Sequence, residues 1–371
     1  MPGNPDRLIF VDVPGKATAH DYSLTPDGTS SVFTYWGDDL YSGDEGEADI
    51  FVMNNNTGVI TLLTVGEGGE KANNDSYLEG VSEDGRTALI NSRVTNFANT
   101  VANGIAQPYL VDVTTGTITQ VLESGPWSFL NSVLSDDGNY VAFSTSAGNI
   151  VANDTNELSD VFLFDVAARV ITRVTLNDVG EELSGSARIS DISADGRYVL
   201  FWYETEHATG EEWPSGLYIY DRIEQSNTVV HHHDGGFIPA SISASGAIVA
   251  YQSLQDGTNT LAWKNIQTGD SGVIFSFVEG FFTYPRVSPD GKYVTYSSNV
   301  AGLVDDVAVS GNTVQIYLTE LSAGSTILVS QSPGGEEADE HSGSPNFIAF
   351  YCRRKVHTLY ERSNKYSQRR Y

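Results

Sequence analysis

The sequence predicts an all-β protein, a β-propeller of four-stranded antiparallel blades. Three observations lead there. A Ser-x-Asp-Gly pattern recurs along the 371 residues. An alternating apolar strand follows almost every copy. No stretch carries the 3.6-residue period of an amphipathic helix.

The copies are Thr25-Pro-Asp27-Gly28, Ser82-Glu-Asp84-Gly85, Ser135-Asp-Asp137-Gly138, Ser193-Ala-Asp195-Gly196, Ser243-Ala-Ser245-Gly246 and Ser288-Pro-Asp290-Gly291. Their spacings are 57, 53, 58, 50 and 45 residues, the period range of blade-sized repeats. Within a repeat, Asp-Gly supplies the positive φ angles of a tight hairpin between a first and a second strand. The second strand reads Tyr140-Val-Ala-Phe143, Tyr198-Val-Leu-Phe201 or Tyr293-Val-Thr-Tyr296. A longer polar loop leads to a third strand, as in Pro108-Tyr-Leu-Val-Asp112, Asp160-Val-Phe-Leu-Phe-Asp165 and Leu217-Tyr-Ile-Tyr-Asp221. A turn then opens a fourth, as in Asn56-Thr-Gly-Val-Ile-Thr-Leu62. Four short strands per repeat are the signature of propeller blades.

The two ends bear on how the ring closes. Residues 7–12 stand before the first turn much as Thr172-Arg-Val-Thr-Leu176 stands before the fourth. They read as an outermost strand with no blade of its own. The natural partner is a last blade begun by the C-terminus, giving a seven-bladed plan with an incomplete last blade; the alternative is six-bladed. Residues 1–347 then form one propeller domain closed by 7–12. His341-Ser-Gly-Ser-Pro-Asn-Phe347 is the run-up to a seventh hairpin that does not follow. Residues 348–371 instead hold seven Lys or Arg, one acid (Glu361) and the sole cysteine, Cys352. The tail reads either as sequence foreign to the fold, for example in a shifted frame, or as a basic segment for an acidic surface.

Composition narrows the function classes. With 48 Asp+Glu against 20 Lys+Arg, the formal charge is −28, which repels phosphate backbones and argues against nucleic acid. No apolar run reaches the 18 residues of a membrane span. One cysteine allows no intrachain disulfide and no thiolate cluster. The first ten residues lack the basic-then-apolar order of a secretory signal, so the expectation is an internal protein or a mature form.

The strings from Ser193 to Phe201 and from Ser288 to Tyr296, of the form Ser-x-Asp-Gly-Arg/Lys-Tyr-Val-x-Phe/Tyr, resemble the PD40 repeat of TolB-like (WD40-like) propellers. The run from Ser146 to Asp165 is similar to the loop and third strand of one bacterial branch. The resemblance covers about residues 6–347. It implies a periplasmic or extracellular setting, with a cytoplasmic one left open, and a monomer whose propeller face binds a protein or polysaccharide. Propellers of this type also cap prolyl-peptidase enzymes. Here no Gly-x-Ser-x-Gly elbow occurs and no α/β stretch remains beside the blades.

Among candidate sites, Asp154-Thr-Asn156-Glu-Leu-Ser-Asp160 is the sharpest. Oxygen ligands at Asp154, Asn156 and Asp160 could surround a hard cation such as Ca²⁺. The competing reading is that Asp and Asn cap turns by bonding their own backbone. Further acids cluster at Asp38-Asp39, at Asp44 to Asp49 and at Asp305-Asp306. His231-His232-His233 ends an outermost strand, where alternation sends two imidazoles to one face; a solvated strand edge is the plainer account. His20 and His341 precede first strands and are the better candidates for the axis. Trp36, Trp127, Trp202, Trp213 and Trp263 either pack between sheets or stack on sugars. Coverage by structural repeats, with no catalytic motif, favours a non-catalytic binding module. The alternative is a propeller carbohydrate-active enzyme, a lyase or hydrolase with a site at the channel mouth, since such sites gather residues from several inner strands.

Overall fold

The recurring tetrapeptide works as a side-chain clamp on a hairpin. In the second, third, fourth and sixth repeats the Ser hydroxyl donates to the Asp carboxylate at 2.6–2.8 Å. The first amide of the following strand donates back to that hydroxyl, from Thr87, Tyr140, Tyr198 and Tyr293, at 2.9–3.0 Å. The Gly amide closes the turn on the Ser carbonyl. The expected pair of positive φ angles is not what forms: only the Gly is left-handed, at +65° in Gly196 and +73° in Gly138. The Asp needs no unusual backbone, because its carboxylate is spent capping the amides of Arg86, Asn139, Arg197 and Lys292. Ser245 replaces Asp in the fifth repeat and caps Ala247 with its hydroxyl.

The computed structural model describes residues 19–25, 28–37, 40, 47–66, 68–97, 104–122, 129–205, 213–232, 237, 239–255, 257–278, 280, 282–304, 313–330, 350–351 and 355–356. The first sheet holds β1 (Ala19–Leu24), β2 (Ser30–Tyr35), β3 (Asp49–Asn54) and β4 (Ile60–Leu62). The second holds β5 (Ser76–Val81), β6 (Thr87–Ser92), β7 (Gln107–Asp112) and β8 (Ile118–Gln120). In the third are β9 (Phe129–Leu134), β10 (Tyr140–Thr145), β11 (Asp160–Asp165) and β12 (Val170–Arg173); in the fourth, β13 (Ser186–Ile192), β14 (Tyr198–Glu204), β15 (Gly216–Asp221) and β16 (Ser226–His232). The fifth comprises β17 (Ala240–Ile242), β18 (Ile248–Gln255), β19 (Thr258–Asn265) and β20 (Ser271–Phe277). The sixth comprises β21 (Phe282–Val287), β22 (Tyr293–Ser298), β23 (Gln315–Glu320) and β24 (Ser325–Leu328). Each sheet is an antiparallel meander in chain order. This is the propeller plan. No helix of the described residues is long and apolar enough to cross a membrane.

Two compact units divide the chain, one containing β1 to β16 and the other β17 onward. In the first, β5 packs on β1 to β3, β9 on β5 and β6, and β13 on β9 to β11. In the second, β21 packs on β17 and β18. The core therefore lies between sheets. On β10, Val141 and Phe143 turn toward Leu89 and Leu110 of the second sheet, while Ala142 joins Ile189, Val199 and Phe201 of the fourth. Middle strands such as β10 and β11 bury nearly every residue because both their faces are covered, whereas β19 of the fifth sheet buries only its centre; outer strands such as β12 and β24 alternate. Directly opposed aromatic pairs recur at one place on the second and third strands: Phe33 with Phe51, Phe143 with Phe162, Phe201 with Tyr218, and Tyr296 with Tyr317. Their rings stack at 5.5–6.0 Å.

The closing strand expected at 7–12 and the run-up at 341–347 lie outside the described residues. Of the tail expected at 348–371, Phe350–Tyr351 and Lys355–Val356 form a two-stranded pair, β25 and β26, with each other.

The turn glycines are also points of close approach. A Cβ on Gly196 would fall 2.1 Å from the ring of Tyr140 in the preceding sheet, a ring also covered by Arg222 at 4.3 Å. Gly196→Ala combines that clash with a left-handed φ and should cost about 2–4 kcal/mol. Gly180→Ala, at φ +81° but facing open space, should cost only about 1 kcal/mol. Urea unfolding midpoints of the two variants test the difference.

Candidate functional site

In three sheets the third strand begins with a side-chain oxygen that is met by a hydroxyl fifteen residues on. Thr64 Oγ1 donates to Asp49 Oδ1 at 2.8 Å, Ser330 Oγ to Gln315 Oε1 at 2.5 Å, and Thr175 Oγ1 to Asp160 Oδ1. The next backbone amide (Ile50, Ile316, Val161) donates to the same hydroxyl. The acceptors are fully buried. This clamp ties the end of the fourth strand to the start of the third, and it is structural.

What meets the second carboxylate oxygen differs between sheets. In the first, Lys71 Nζ lies 3.1 Å from Asp49 Oδ2 and 2.9 Å from Glu47 Oε2. Lys71 is twenty-two residues past Asp49 and bridges to Val65. The residue twenty-two past Asp160 is Glu182, which bridges to Leu176 in the same way. An acid stands where the first sheet has an amine.

Asp154, Asp160 and Glu182 consequently converge, with one carboxylate oxygen of each within 4.8 Å of the others. Arg173, on β12, is the buried cation beside them. Its Nη1 donates to Glu182 Oε1 at 2.6 Å but stands 3.6 Å from Asp160 Oδ2, and its Nη2 stands 4.0 Å from Asp154 Oδ2. Thr155 donates to Glu182 from both its amide and its hydroxyl, pinning the loop onto the carboxylate. The Asp154 side chain is 1% exposed. Neither of its oxygens, nor Oδ2 of Asp160, accepts a hydrogen bond. Burial, opposed by Thr175 and Arg173 and reinforced by Asp154 and Glu182, pushes the Asp160 carboxyl up to about 7. Burial likewise raises Asp154, against the pull of Arg173. Glu182, despite its own desolvation, is held below its usual range by Thr155 and Arg173.

The three residues expected from the sequence thus separate. Asp154 and Asp160 come together. Asn156 ties its loop to the segment after β12, donating to the Leu183 carbonyl, and caps the Leu158 amide within the loop. The third acid, Glu182, lies beyond the reach of loop spacing; the signal for it was the twenty-two-residue offset shared with Lys71. His231 is half-buried and His232 exposed at the end of β16, opposite Leu217 and Gly216. His20 lies on β1 opposite Thr34. His207, His233, His341 and His357 fall outside the described residues, as do Asp38-Asp39, Asp44 and Asp305-Asp306. Trp202 and Trp213 are buried, as blade packing requires, and Trp263 is half-buried. Trp127 is outside the described residues. Trp36 alone of the described tryptophans is exposed, at 43%, edge-on to exposed Tyr77 at 6.1 Å.

First strands carry their own polar groups. Tyr77 on β5 and Arg188 on β13 occupy the same repeat position, seven residues before Asp84 and Asp195, and both are exposed. At the turn end, backbone amides of Glu83 and Asp137 donate to the carbonyls of Asp136 and Ala194, linking neighbouring sheets. This crowds acids together. Asp136 reaches solvent, yet desolvation by the surrounding protein, then Asp191, Glu83 and Asp137, push its carboxyl up to about 6 from 3.8. A carboxyl raised on folding costs nothing below its unfolded value and the full penalty above its folded one. Stability should therefore fall as pH rises from about 4 to about 6, and Asp136→Asn should flatten that slope. Unfolding temperatures of both proteins across this range check it.

No protein-family model and no curated protein sequence matches the chain. Solved structures do. An oligogalacturonate lyase in complex with manganese aligns over 86% of this chain and 78% of its own, at TM-score 0.55 and 14% identity. An oligogalacturonate lyase from Vibrio parahaemolyticus aligns over 87% and 81%, at 0.57 and 14%. The β-propeller domain of the Trilobed protease from Pyrococcus furiosus aligns over 87% and 85%, at 0.55 and 11%. The lyases correct the expectation of a non-catalytic binding module. That expectation rested on a chain filled by structural repeats, and proteins sharing this fold over nearly the same extent are enzymes. By its clamped hairpins and its meander sheets, the chain has the β-propeller fold of these structures.

Proposed function

We propose that the protein is a carbohydrate-active enzyme, a lyase or hydrolase, acting on an acidic polysaccharide where the first strands carry Tyr77 and Arg188. Arg188 carries the reading: it is an exposed guanidinium on a first strand of a chain with formal charge −28. A guanidinium pairs with a carboxylate through two parallel hydrogen bonds, the natural contact for a uronate residue. An exposed aromatic such as Tyr77, braced edge-on by Trp36, offers a flat apolar face to a sugar ring. The oligogalacturonate lyases that share the fold favour uronides over neutral glycans. In an elimination, a base takes the proton on the carbon next to the uronate carboxylate, a C=C bond forms and the glycosidic C–O bond breaks with its electron pair leaving on the departing sugar oxygen; Arg188 would stabilise the charge that develops on the carboxylate. Hydrolysis would instead require two carboxyl groups flanking the bond. A polymer substrate fits a periplasmic or extracellular setting, and the acidic surface favours solubility there.

Incubation with oligogalacturonates, other uronate oligomers and neutral oligosaccharides tests the proposal. Elimination produces an unsaturated uronide that absorbs in the ultraviolet, whereas hydrolysis produces reducing ends alone. Arg188→Ala should lower kcat/KM on the order of 100-fold, with partial recovery in Arg188→Lys. Tyr77→Ala should act mainly on KM. Absence of turnover on every uronide would remove the reading.

A further inference from the structure

We infer that Asp154, Asp160 and Glu182 form a Ca²⁺ site, in which the ion takes the place that the Lys71 ammonium holds in the first sheet. The inference is independent of the activity proposed at the first strands.

Charge balance is the first argument. When all three acids are ionised, they face one guanidinium, which leaves two negative charges uncompensated in the cluster. Uncompensated buried charge is costly, and one divalent ion cancels it. The first sheet answers the same need with an amine. Lys71 Nζ touches Asp49 Oδ2 there, and Glu182 stands at the matching position here with the opposite charge.

The second argument is the set of oxygens left over. Asp154 is almost wholly enclosed and both its oxygens lack a hydrogen bond, as does Oδ2 of buried Asp160. Arg173 is committed to Glu182 and lies beyond hydrogen-bonding distance of both aspartates. Enclosed acceptors without donors are rare in folded proteins.

One oxygen of each acid lies within 4.8 Å of one oxygen of each of the others, close enough for a single ion to bridge all three. Ca²⁺ tolerates flexible, irregular oxygen geometry of this kind, whereas Mg²⁺ demands a near-ideal octahedron and keeps several of its waters. The donors are hard oxygens, as Ca²⁺ prefers.

The test is calorimetric titration of Ca²⁺ into the chelator-stripped full-length chain, with thermal unfolding read in parallel. We expect one saturable site with a dissociation constant on the order of 10⁻⁴ M or tighter, and an unfolding temperature that rises with Ca²⁺. Asp154→Asn should keep the far-ultraviolet dichroism of the parent and lose the uptake. Glu182→Lys should rebuild the arrangement of the first sheet: no Ca²⁺ uptake, and a metal-free unfolding temperature above that of the stripped parent. Should Glu182→Lys fail to fold, Asp154→Asn decides alone. Absence of saturable uptake by the parent at millimolar Ca²⁺ would overturn the inference, as would unchanged uptake in Asp154→Asn. Either result would mean that Arg173 and bound protons balance the cluster.

Discussion

Burial of sheet faces against neighbouring sheets is the constraint on which this structure depends. A four-stranded meander with apolar residues on both sides of its middle strands cannot stand in water alone. The second and third sheets each hide one face on the sheet before and the other on the sheet after, as Phe143 and Ala142 do on opposite sides of β10. The stacking works only if each hairpin holds its register, because a slip of one residue exchanges the faces. The Ser-x-Asp-Gly clamp supplies that register with side-chain hydrogen bonds, and its glycine lets the neighbouring sheet approach.

A repeat that must stack is free to vary wherever stacking makes no demand. Third-strand starts show this. Asp49, Asp160 and Gln315 all accept a hydroxyl from the same offset, so the clamp is common property. The second oxygen of each aspartate is not needed for the clamp, and its surroundings have diverged. It meets an ammonium in the first sheet and two further acids in the third. Gln315 has only an amide there. One scaffold thus holds a neutral, a salt-bridged and an acid-rich version of a single position.

First strands display a similar division of labour. Residues of β5 and β13 alternate between the intersheet core and an exposed side. Leu78 and Ile189 serve packing, while Tyr77 and Arg188 are exposed. Enzymes on such a scaffold need no local motif, since residues from different repeats meet through the stacking of sheets. Repetition throughout a chain therefore says little against catalysis.

The fold was legible in the sequence because it is written in local terms. The clamp spans six residues, and the alternation of the second strands spans four. Asp154 and Asp160 were legible as a candidate pair for the same reason, being in one loop. Glu182 and Arg173 were not, because they join that pair only when β12 folds back on β11 and the chain turns toward the next sheet. Asn156 looked equivalent to its neighbours by spacing, yet its amide turns toward the Leu183 carbonyl. Sequence by itself determined which hairpins form and which residues face a core. Tertiary structure decided which carboxylates share a buried space, because that depends on contacts between segments far apart along the chain.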